Sequence, residues 1–494
     1  DVYKRQVSLS VVAEVLRDAG LLTRPGDFST SFVSGVSQDS RAISPGDLFL
    51  AWRGTEVDAH EFLGQAEVAG AVAAVVEREV EGVTIPQLVV SDGRAAAAVV
   101  ADLLADSPWR GMFVAGVTGT NGKTTTALVT RQLLQRLGSG AAVGTLGLIG
   151  PDGAVRPGTE ALTTPGPVQV SGWLRGLADQ GVTHVVMEAS SHALEQKRLD
   201  GVRFDVAVFT NLTQDHLDYH GDLDTYRAAK GHLADLLKPA GLMVLNSDDP
   251  AWEDLPRTAP RTISFGRAQG ADLRITEERH EASGSSFKLT WEQASATVRL
   301  PLPGAFNVEN AVAAAAVGLE AGLSIQEVAE ALGEETQVPG RLERVMEDPF
   351  TVIVDFAHTP GALDRVLATV RSLTDRRLIV VFGAGGDRDR TKRPRMAAAA
   401  SLHADLVVMT SDNPRTEDPE RILDDVVSGV GEVEWRRITD RLEAIRFALG
   451  EAASGDVVLL AGKGHETYQV VGTEKRPFDE RSIVADWARE RGVA

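Results

Sequence analysis

Thr118-Gly119-Thr120-Asn121-Gly122-Lys123-Thr124-Thr125-Thr126 directly follows an apolar run at 112–117. The run predicts a buried strand over 112–118, and the residues from 123 to 137 predict an amphipathic helix. Glycines at 119 and 122 permit a tight turn whose N–H groups point at anionic oxygens, and the start of a helix favours the same charge. Lys123 can place a charge near the β- and γ-phosphates of a nucleotide, and the Thr124 hydroxyl can ligate Mg²⁺. The stretch therefore predicts a phosphate-binding strand–loop–helix unit.

The loop departs from the general P-loop pattern at one position. That pattern has glycine five residues before Gly122, where this chain has Val117. We therefore expect a phosphate loop that is not a standard Walker A motif.

Near-continuous apolar runs alternate with helical patterns along the rest of the chain, which is typical of parallel sheets covered on both faces. Strands are predicted at 47–51, 73–77, 87–91, 112–118, 183–188, 205–210, 241–246, 351–355, 377–383, 405–410 and 456–461. The polar, alternating segment 261–303 predicts a small antiparallel appendage. With 494 residues, the chain is expected to form three domains, at 7–108, 109–336 and 337–494. The predicted fold class is α/β, with a central P-loop-type, mostly parallel sheet and a C-terminal Rossmann-like domain.

Composition excludes several classes of protein. The formal net charge of −20 argues against a nucleic-acid binder, because phosphate backbones require clustered Lys and Arg. No stretch approaches the roughly 18–20 uncharged apolar residues that span a bilayer. The absence of cysteine excludes disulfides and suits a cytoplasmic protein. The first six residues, Asp-Val-Tyr-Lys-Arg-Gln, lack an initiator Met and resemble a translated library adapter, so we expect a non-native start.

Polar residues gather where two central strands are predicted to end, at 187–192 and 210–220. Open α/β sheets bind ligands at the carboxyl ends of their strands. Glu188 could ligate Mg²⁺ beside the phosphate loop, and His216 could add an imidazole to a second metal. Each residue alone could equally be an ordinary polar side chain. Because both occur together with the phosphate loop, the functional interpretation is favoured.

Two hydrolase patterns fail, and a nucleotide-binding pattern is weak. Ser190, Ser191 and His192 are adjacent, but no Gly-x-Ser-x-Gly elbow is present. His216 and His220 have the spacing of a zincin, but Leu217 stands where the glutamate is needed. The segment 383–388 imitates a dinucleotide fingerprint, but Arg388 occupies its third glycine position.

Four motifs occur one after another along the chain: Thr-Gly-Thr-Asn-Gly-Lys-Thr, Met-Glu-Ala-Ser-Ser-His, Thr-Asn-Leu-Thr-Gln-Asp-His-Leu-Asp-Tyr-His and Pro-Gly-Ala-Phe-Asn-Val-Glu-Asn. On these, the chain resembles the Mur ligases of peptidoglycan synthesis, which share an architecture with folylpolyglutamate synthases. The C-terminal motifs Asp-Phe-Ala-His-Thr-Pro, Gly-Asp-Arg-Asp, Asp-Asn-Pro-Arg and Gly-Lys-Gly-His-Glu resemble the branch that adds 2,6-diaminopimelate. The resemblance covers essentially everything after residue 6.

The resemblance implies a set of ATP and metal contacts. It assigns ATP to Gly119, Thr120, Asn121, Gly122, Lys123, Thr124, Thr125, Asn310, Arg341 and Asp355. Two Mg²⁺ ions would be held by Thr124, Glu188, His216 and a carbamate on Lys230. The implied catalytic residues are Lys123, Lys230, His216 and Glu188. A neutral lysine amine takes up carbon dioxide to become an anionic oxygen ligand, so the implied modification is N6-carboxylysine at Lys230.

The other two substrates have their own implied contacts. A UDP-muramoyl dipeptide would be held by Ser40, Asn121, Thr163, Thr164, Ser190, Gln196 and Arg198. Diaminopimelate would be held by Arg388, Asp412, Asn413, Pro414, Arg415, Gly462 and Glu466. Diaminopimelate differs from lysine by one distal carboxylate, onto which Arg415 can fork while Asp412 or Glu466 accepts from the ammonium group. Ala59 replaces a common glycine of the family, which weakens the expected uridine contacts near 54–60.

The expected reaction is therefore ATP-dependent amide formation through an acyl phosphate, by a monomer without a nucleic-acid partner. Four alternatives stay open on the sequence: a related ligase that adds lysine or another amino acid, one that adds glutamate to folate, a scaffold without activity, and a small-acceptor kinase. Loss of activity predicts damage at the four catalytic positions, and none is present.

Overall fold

The computed structural model describes residues 6–24, 26, 28, 31–54, 57–156, 162–255, 259–281, 283–334 and 338–493. The strands are β1 (Val7–Ser8), β2 (Phe32–Val33), β3 (Gly35–Ser37), β4 (Asp47–Ala51), β5 (Ala73–Val76), β6 (Gln87–Val89), β7 (Phe113–Thr118), β8 (Gly140–Gly144), β9 (Gly147–Ile149), β10 (Val155–Arg156), β11 (His184–Glu188), β12 (Phe204–Phe209), β13 (Leu237–Asn246), β14 (Arg261–Gly266), β15 (Leu273–Glu281), β16 (Gly284–Trp291), β17 (Ala294–Leu300), β18 (Glu343–Met346), β19 (Thr351–Asp355), β20 (Leu378–Ala384), β21 (Leu406–Ser411), β22 (Glu434–Arg437), β23 (Val457–Ala461), β24 (Tyr468–Val471) and β25 (Glu474–Pro477). The α-helices are α1 (Leu9–Asp18), α2 (Leu63–Ala69), α3 (Gly93–Leu104), α4 (Lys123–Leu134), α5 (Pro167–Asp179), α6 (Ser191–Glu195), α7 (Leu217–His220), α8 (Leu223–Asp235), α9 (Ala305–Glu320), α10 (Ile325–Leu332), α11 (Pro360–Ser372), α12 (Lys392–His403), α13 (Pro419–Val427), α14 (Arg441–Glu451) and α15 (Glu480–Arg491).

The N-terminal region forms a four-stranded parallel sheet in the order β3-β4-β5-β6. Leu48 and Val75 face a core shared with α1 and α3, whereas Phe49 and Val76 face a second core shared with α2. The alternation of burial along each strand follows from the two-residue period of a strand. Strands β4, β5 and β6 match the predicted strands, with ends that differ by at most two residues, whereas β3 was not predicted.

The central region forms one sheet of eleven strands, in the order β10-β9-β8-β11-β7-β12-β13-β14-β15-β16-β17. The strands from β8 to β15 in this order are parallel. Helices α4, α9 and α10 cover one face, and α5, α6 and α8 cover the other. The prediction of a mostly parallel sheet covered on both faces is confirmed.

The predicted antiparallel appendage differs from the structure in one respect. Strand β14 pairs parallel with β13, from Leu242↔Arg261 to Asn246↔Phe265, so the segment 261–303 extends the central sheet. Only β15, β16 and β17 pair antiparallel within it. Phe265, Leu273 and Phe287 explain the continuity, because they are buried in the same core as α9.

The C-terminal region has a six-stranded sheet in the order β18-β19-β23-β20-β21-β22, parallel except for the edge strand β18. Helices α11, α12 and α13 cover one face, and α14 and α15 cover the other. Strands β19, β20, β21 and β23 end at one edge, where the C-terminal sequence motifs begin. Across the described residues, no helix has both the length and the apolar character needed to cross a membrane.

Candidate functional site

The phosphate loop lies between β7 and α4, as the sequence predicts. Gly119 and Gly122 have φ values of +146° and +86°, which side chains rarely adopt. Asn211 holds the loop: its carbonyl oxygen accepts from Thr120 N at 2.7 Å, and its Oδ1 accepts from Asn121 N at 2.9 Å. The start of α4 is therefore left to supply backbone donors to an anion.

Two lysines converge on one carbonyl of this loop. Lys123 Nζ donates to Gly119 O at 2.9 Å and to Thr120 O at 3.0 Å, and Lys230 Nζ donates to Gly119 O at 2.8 Å. Lys230 is 1% exposed, and its Nζ lies 4.3 Å from the centre of the Tyr226 ring. Burial, assisted by the Lys123 charge, lowers the pKa of Lys230 well below its usual value. Burial also lowers the pKa of Lys123.

Glu188, at the end of β11, lies beside the first turn of α4. Its Oε2 accepts from Thr124 Oγ1 at 3.1 Å and from Thr145 Oγ1 at 3.1 Å, and its Oε1 accepts from Thr145 N at 2.9 Å. The sequence interpretation missed Thr145. It follows β8, and the pairing of β8 with β11 brings it to Glu188.

His216 lies directly before the short helix α7 and has a left-handed φ of +53°. Its side chain is 46% exposed, and Nε2 lies 3.5 Å from Asp215 Oδ2. The His216 ring meets the edge of the His192 ring at a centroid distance of 4.8 Å. Burial, with the neighbouring histidines, lowers the pKa of His192 to about 4. A cavity of about 300 Å³ joins His216 and Glu188 to Lys123.

No group of three or more His, Asp or Glu side chains in the described part of the chain has the arrangement of a metal site. The threonine hydroxyls and the Glu188 carboxylate nevertheless supply oxygen donors at the phosphate loop. Mg²⁺ suits such a set, because it commonly takes one or two carboxylates and completes its shell with water and substrate phosphates.

A narrow cleft of about 70 Å³ opens beside the loop between the central and C-terminal sheets. It brings together most of the predicted nucleoside contacts; its lining includes Gly122, Thr124, Thr125, Asn310, Arg341 and Asp355. Asp355 also organises its own backbone, because its carboxylate accepts from Leu342 N at 2.7 Å and Ala357 N at 2.8 Å. The Arg341 guanidinium stacks 4.8 Å from the centre of the Phe356 ring.

A large cavity, about 630 Å³, lies between the two sheets and has one wall from each. On the central wall, the structure brings together Thr163, Ser190 and Arg198. Thr164 is fully buried. Its Oγ1 donates to Glu188 O at 2.7 Å and accepts from Ser190 N at 3.0 Å. Gln196 lies behind Arg198, whose Nε donates to its Oε1 at 3.0 Å.

Ser40 does not line this cavity or the two described above. It lies in the short 3₁₀ turn Ser40–Ala42, where its Oγ is 3.5 Å from Gln65 Oε1. The predicted uridine segment near 54–60 falls partly outside the described residues, at positions 55 and 56.

The C-terminal wall carries the predicted amino-acid contacts. These are Arg388, Asp412, Asn413, Arg415, Gly462 and Glu466. Arg415 has a φ of +51°, and its Nη1 donates to Gly386 O at 2.7 Å. Pro414 precedes it, is buried and does not line the cavity. Two cationic and two acidic side chains thus face the same space from the ends of neighbouring strands.

The sequence interpretation missed several charged groups at this cavity. Asp215, His358, Lys392 and Arg395 line it, and Lys463 lies buried behind it. Arg395 Nη1 approaches Gln214 Oε1 of the central region at 3.4 Å. Lys463 stands inside the Gly-Lys-Gly-His-Glu motif, so the signal was present in the sequence but its contacts were not.

A phosphate loop at one sheet, facing a charged cavity built by a second sheet, is the arrangement of an enzyme that activates one substrate with a nucleotide and joins it to another. Family models match three stretches: "Mur ligase family, catalytic domain" at residues 32–104, "Mur ligase middle domain" at 117–318 and "Mur ligase, glutamate ligase domain" at 340–464. The chain belongs to the Mur ligase family and is an ATP-dependent ligase.

Comparison with individual proteins shows which members of the family this chain is similar to. A UDP-N-acetylmuramoyl-L-alanyl-D-glutamate–2,6-diaminopimelate ligase of Geobacillus kaustophilus is 44% identical over 470 residues, which cover 93% of this chain and 96% of the relative. A solved structure of a ligase with the same name is 33% identical, covers 99% of this chain and 100% of its own, and superposes with a TM-score of 0.69. A folylpolyglutamate synthase of Mycobacterium tuberculosis, 21% identical over 74% of this chain and 92% of its own, shares the fold with a TM-score of 0.61.

Proposed function

We propose that this protein uses ATP to add meso-2,6-diaminopimelate to UDP-N-acetylmuramoyl-L-alanyl-D-glutamate, a step in making the peptidoglycan precursor. The single observation that carries the proposal is the shared cavity, which has dipeptide-side residues on one wall and Arg388, Arg415, Asp412 and Glu466 on the other. A carboxylate activated at the first wall would meet an amine held at the second.

Two steps account for the chemistry. A dipeptide carboxylate oxygen attacks the γ-phosphorus of ATP, ADP leaves, and an acyl phosphate remains. The diaminopimelate amine then attacks the acyl carbon, phosphate leaves with the bonding electrons, and the amine loses a proton. Lys123 and the N–H groups at the start of α4 would stabilise the charge on the transferring phosphoryl group. The nucleoside would lie in the cleft of Thr125, Asn310, Arg341 and Asp355, with Gly119 to Thr124 around the phosphates.

We propose that Mg²⁺ is held by Thr124, Glu188 and His216, and that a second ion uses Lys230 as a carbamate. Bound Mg²⁺ would neutralise phosphate charge. The cluster of Thr124, Thr145 and Glu188 oxygens supports this assignment. His216 shares a cavity with them.

The surroundings of Lys230 support the carbamate. Two lysine ammonium groups directed at the same Gly119 carbonyl repel each other in a buried place. A carbamate on Lys230 would replace one positive charge by a negative one and so attract Lys123 and metal ions. The lowered pKa of Lys230 also favours the neutral amine that reacts with carbon dioxide.

For the amino acid, we propose that Arg415, with Arg388, binds the distal carboxylate of diaminopimelate, while Asp412, Asn413, Gly462 and Glu466 bind the adjacent ammonium group. Arginine matches a carboxylate because its planar guanidinium donates two parallel hydrogen bonds. For the dipeptide, we propose contacts from Ser40, Asn121, Thr163, Thr164, Ser190, Gln196 and Arg198. Of these, Thr164 acts by holding Ser190 and the end of β11.

We further propose the domain limits 7–108, 109–336 and 337–494, each of which contains one large sheet. One chain carries every proposed contact, so a monomer suffices. A cytoplasmic location belongs with the proposal, because the reaction consumes ATP.

Phosphate release tests the proposal directly. Purified protein is given ATP, Mg²⁺, the UDP-muramoyl dipeptide and, one at a time, meso-diaminopimelate, lysine, ornithine or glutamate. Release should depend on the dipeptide and be fastest with meso-diaminopimelate. Release with lysine but not with diaminopimelate would overturn the assignment.

A further inference from the structure

A row of charged side chains lies under the C-terminal wall of the large cavity. Its members alternate in sign: Glu466, Lys463, Asp412, Arg441 and Glu480. Lys463 and Glu480 are 0% exposed, Arg441 is 1% and Asp412 is 6%. Only Asp412 and Glu466 of the five line the cavity, so the other three act on it from behind.

Lys463 makes the contacts that shape the wall. Its Nζ lies 2.6 Å from Asn413 Oδ1, 3.2 Å from Glu466 Oε2 and 3.4 Å from Asp412 Oδ1. Asn413 Nδ2 donates to the same Glu466 oxygen at 3.0 Å. Glu466 Oε2 thus accepts from two donors, and these two contacts fix the orientation of the whole carboxylate, including its other oxygen.

Arg441 and Glu480 lie deeper than Lys463 and support the same wall of the cavity. Arg441 Nε donates to Glu480 Oε1 at 2.9 Å, which balances the Arg441 charge in the interior. Arg441 Nη2 donates to Ala461 O at 2.9 Å, and Nη1 donates to Ser411 O at 3.3 Å. These carbonyls end β23 and β21, directly before Gly462 and Asp412. Arg441 therefore ties together the two strand ends from which the cavity wall continues.

The charge of this wall follows from the same contacts. Arg441 and Glu480 form a neutral pair, whereas Asp412 and Glu466 exceed Lys463 by one negative charge. One negative charge matches one substrate ammonium group. Arg388 and Arg415, which line the same cavity, remain for a carboxylate. Without Lys463, Asp412 and Glu466 would lose their buried cationic partner, and this part of the wall would favour a substrate end with positive charge and no carboxylate.

We propose that Lys463 is a specificity-determining positioning residue, which does not touch the amino acid but holds Glu466 and Asn413 and sets the charge of the ammonium site. The inference rests on the proposed function. It predicts that Lys463 selects a zwitterionic side-chain end, such as that of diaminopimelate, over the plain ammonium end of lysine.

The test compares kcat/KM for meso-diaminopimelate with kcat/KM for lysine in the phosphate-release assay, using the full chain. Lys463→Met should lower the ratio of the two by about tenfold or more, because buried charge pairs couple strongly. KM for ATP should change little. Lys288→Met, at an exposed lysine on β16, is the matched control and should leave the ratio at the wild-type value.

Lys463→Gln removes the charge but keeps a side-chain donor near Asn413 and Glu466, so it tests the same point if Lys463→Met does not fold. It should move the ratio in the same direction. An equal loss for both amino acids in either variant would overturn the inference, because a purely structural role moves both together. Turnover by the wild type distinguishes a failure of the proposed function from a failure of the role of Lys463. If the wild type prefers diaminopimelate and the variants keep its ratio, only the role of Lys463 is contradicted. If the wild type shows no turnover, the proposed function and the inference are contradicted together.

Discussion

The phosphate wall, formed by the loop that lines the two smaller cavities, and the amino-acid wall of the large cavity are built in different ways. The phosphate wall is mostly backbone: a continuous run from Gly119 to Thr124, two glycines with positive φ, and the start of a helix. The amino-acid wall is mostly side-chain charge, carried by strand ends that lie far apart in the sequence, such as Arg388, Asp412 and Glu466. Backbone donors recognise any phosphate at the right place, whereas placed charges distinguish one amino acid from another.

This difference implies that the two walls have different functions. Changes on the phosphate wall should affect turnover with every amino acid alike. Changes on the amino-acid wall should affect the choice among amino acids and leave ATP binding nearly unaltered. Substitutions on each wall can therefore break or sharpen the comparison.

The largest effect is expected at Lys230. Lys230→Ala removes the proposed carbamate and should lower turnover by about 10³-fold, the size of losing a main electrostatic contributor at an active site. Added acetate or formate should restore part of the rate by supplying an oxygen ligand. Phosphate release, with and without these acids, measures both.

Lys288→Ala is the control, because this lysine lies on β16 with its side chain 41% exposed. It should keep the wild-type rate. A Lys230→Ala protein with full activity would remove the carbamate from the proposal.

Arg415→Ala should come next. Removing the guanidinium leaves a substrate carboxylate without its partner, which costs about 2–5 kcal/mol for a buried charge pair. The loss should appear in KM for diaminopimelate and in kcat/KM, while nucleotide affinity changes little. Calorimetry with a nonhydrolysable ATP analogue checks the second part.

Arg489→Ala is the matched control, at a C-terminal arginine whose side chain is 75% exposed. Equal losses of affinity for ATP and diaminopimelate would contradict the division of labour between the walls.

Gly122→Ala tests the backbone character of the phosphate wall. A Cβ at this position would lie 2.1 Å from Asn310 Oδ1, and the φ of +86° adds strain. Crowding of this kind costs about 1–3 kcal/mol. KM for ATP should therefore rise about tenfold, with the same factor for every amino acid.

Gly82→Ala separates strain from crowding. Gly82 has nearly the same φ, +80°, but nothing lies within 4 Å of its would-be Cβ. It should lose about 1 kcal/mol of stability and no ATP affinity. If the two variants behave alike, the contact between Gly122 and Asn310 has no part in nucleotide binding.

The same contrast explains what the sequence could predict. The phosphate loop and most of the parallel strands of the three large sheets were predictable, because local patterns of glycine, charge and apolar runs define them. Strand β8 was not, since Gly140-Ala-Ala-Val-Gly144 is poor in the branched residues that mark strands. Thr145 was missed for the same reason, because its contact with Glu188 depends on β8 pairing with β11.

On the amino-acid wall, the motifs gave the residues but not their partners. Lys463 stands in a readable motif, yet its contacts with Asp412 and Asn413 cross fifty residues of sequence. Likewise, the pairing of Arg441 with Glu480 is visible only in three dimensions. Charge networks of this kind depend on the order of strands in the sheet, which no local pattern encodes.

A change of pH tests the amino-acid wall at His465, which lies beside Gly340 at the start of the C-terminal region. His465 lies two residues after Lys463, and its backbone N lies 2.2 Å from a would-be Cβ on Gly340. Burial, with the charges of Arg341 and Arg481 and the nearby His358, lowers the pKa of His465 to about 3.

An unfolded chain binds this proton near pH 6.5 and the folded chain does not, so the contribution of His465 to stability is present above pH 6.5 and is lost as the pH falls towards 3. At pH 5 the loss relative to pH 7 should be about 2 kcal/mol. His465→Gln should remove that share of the pH dependence, measured by urea denaturation at both values. If the difference between pH 5 and pH 7 stays as in the wild type, His465 takes up its proton in the folded protein, and the part of the amino-acid wall beside Gly340 is open to water.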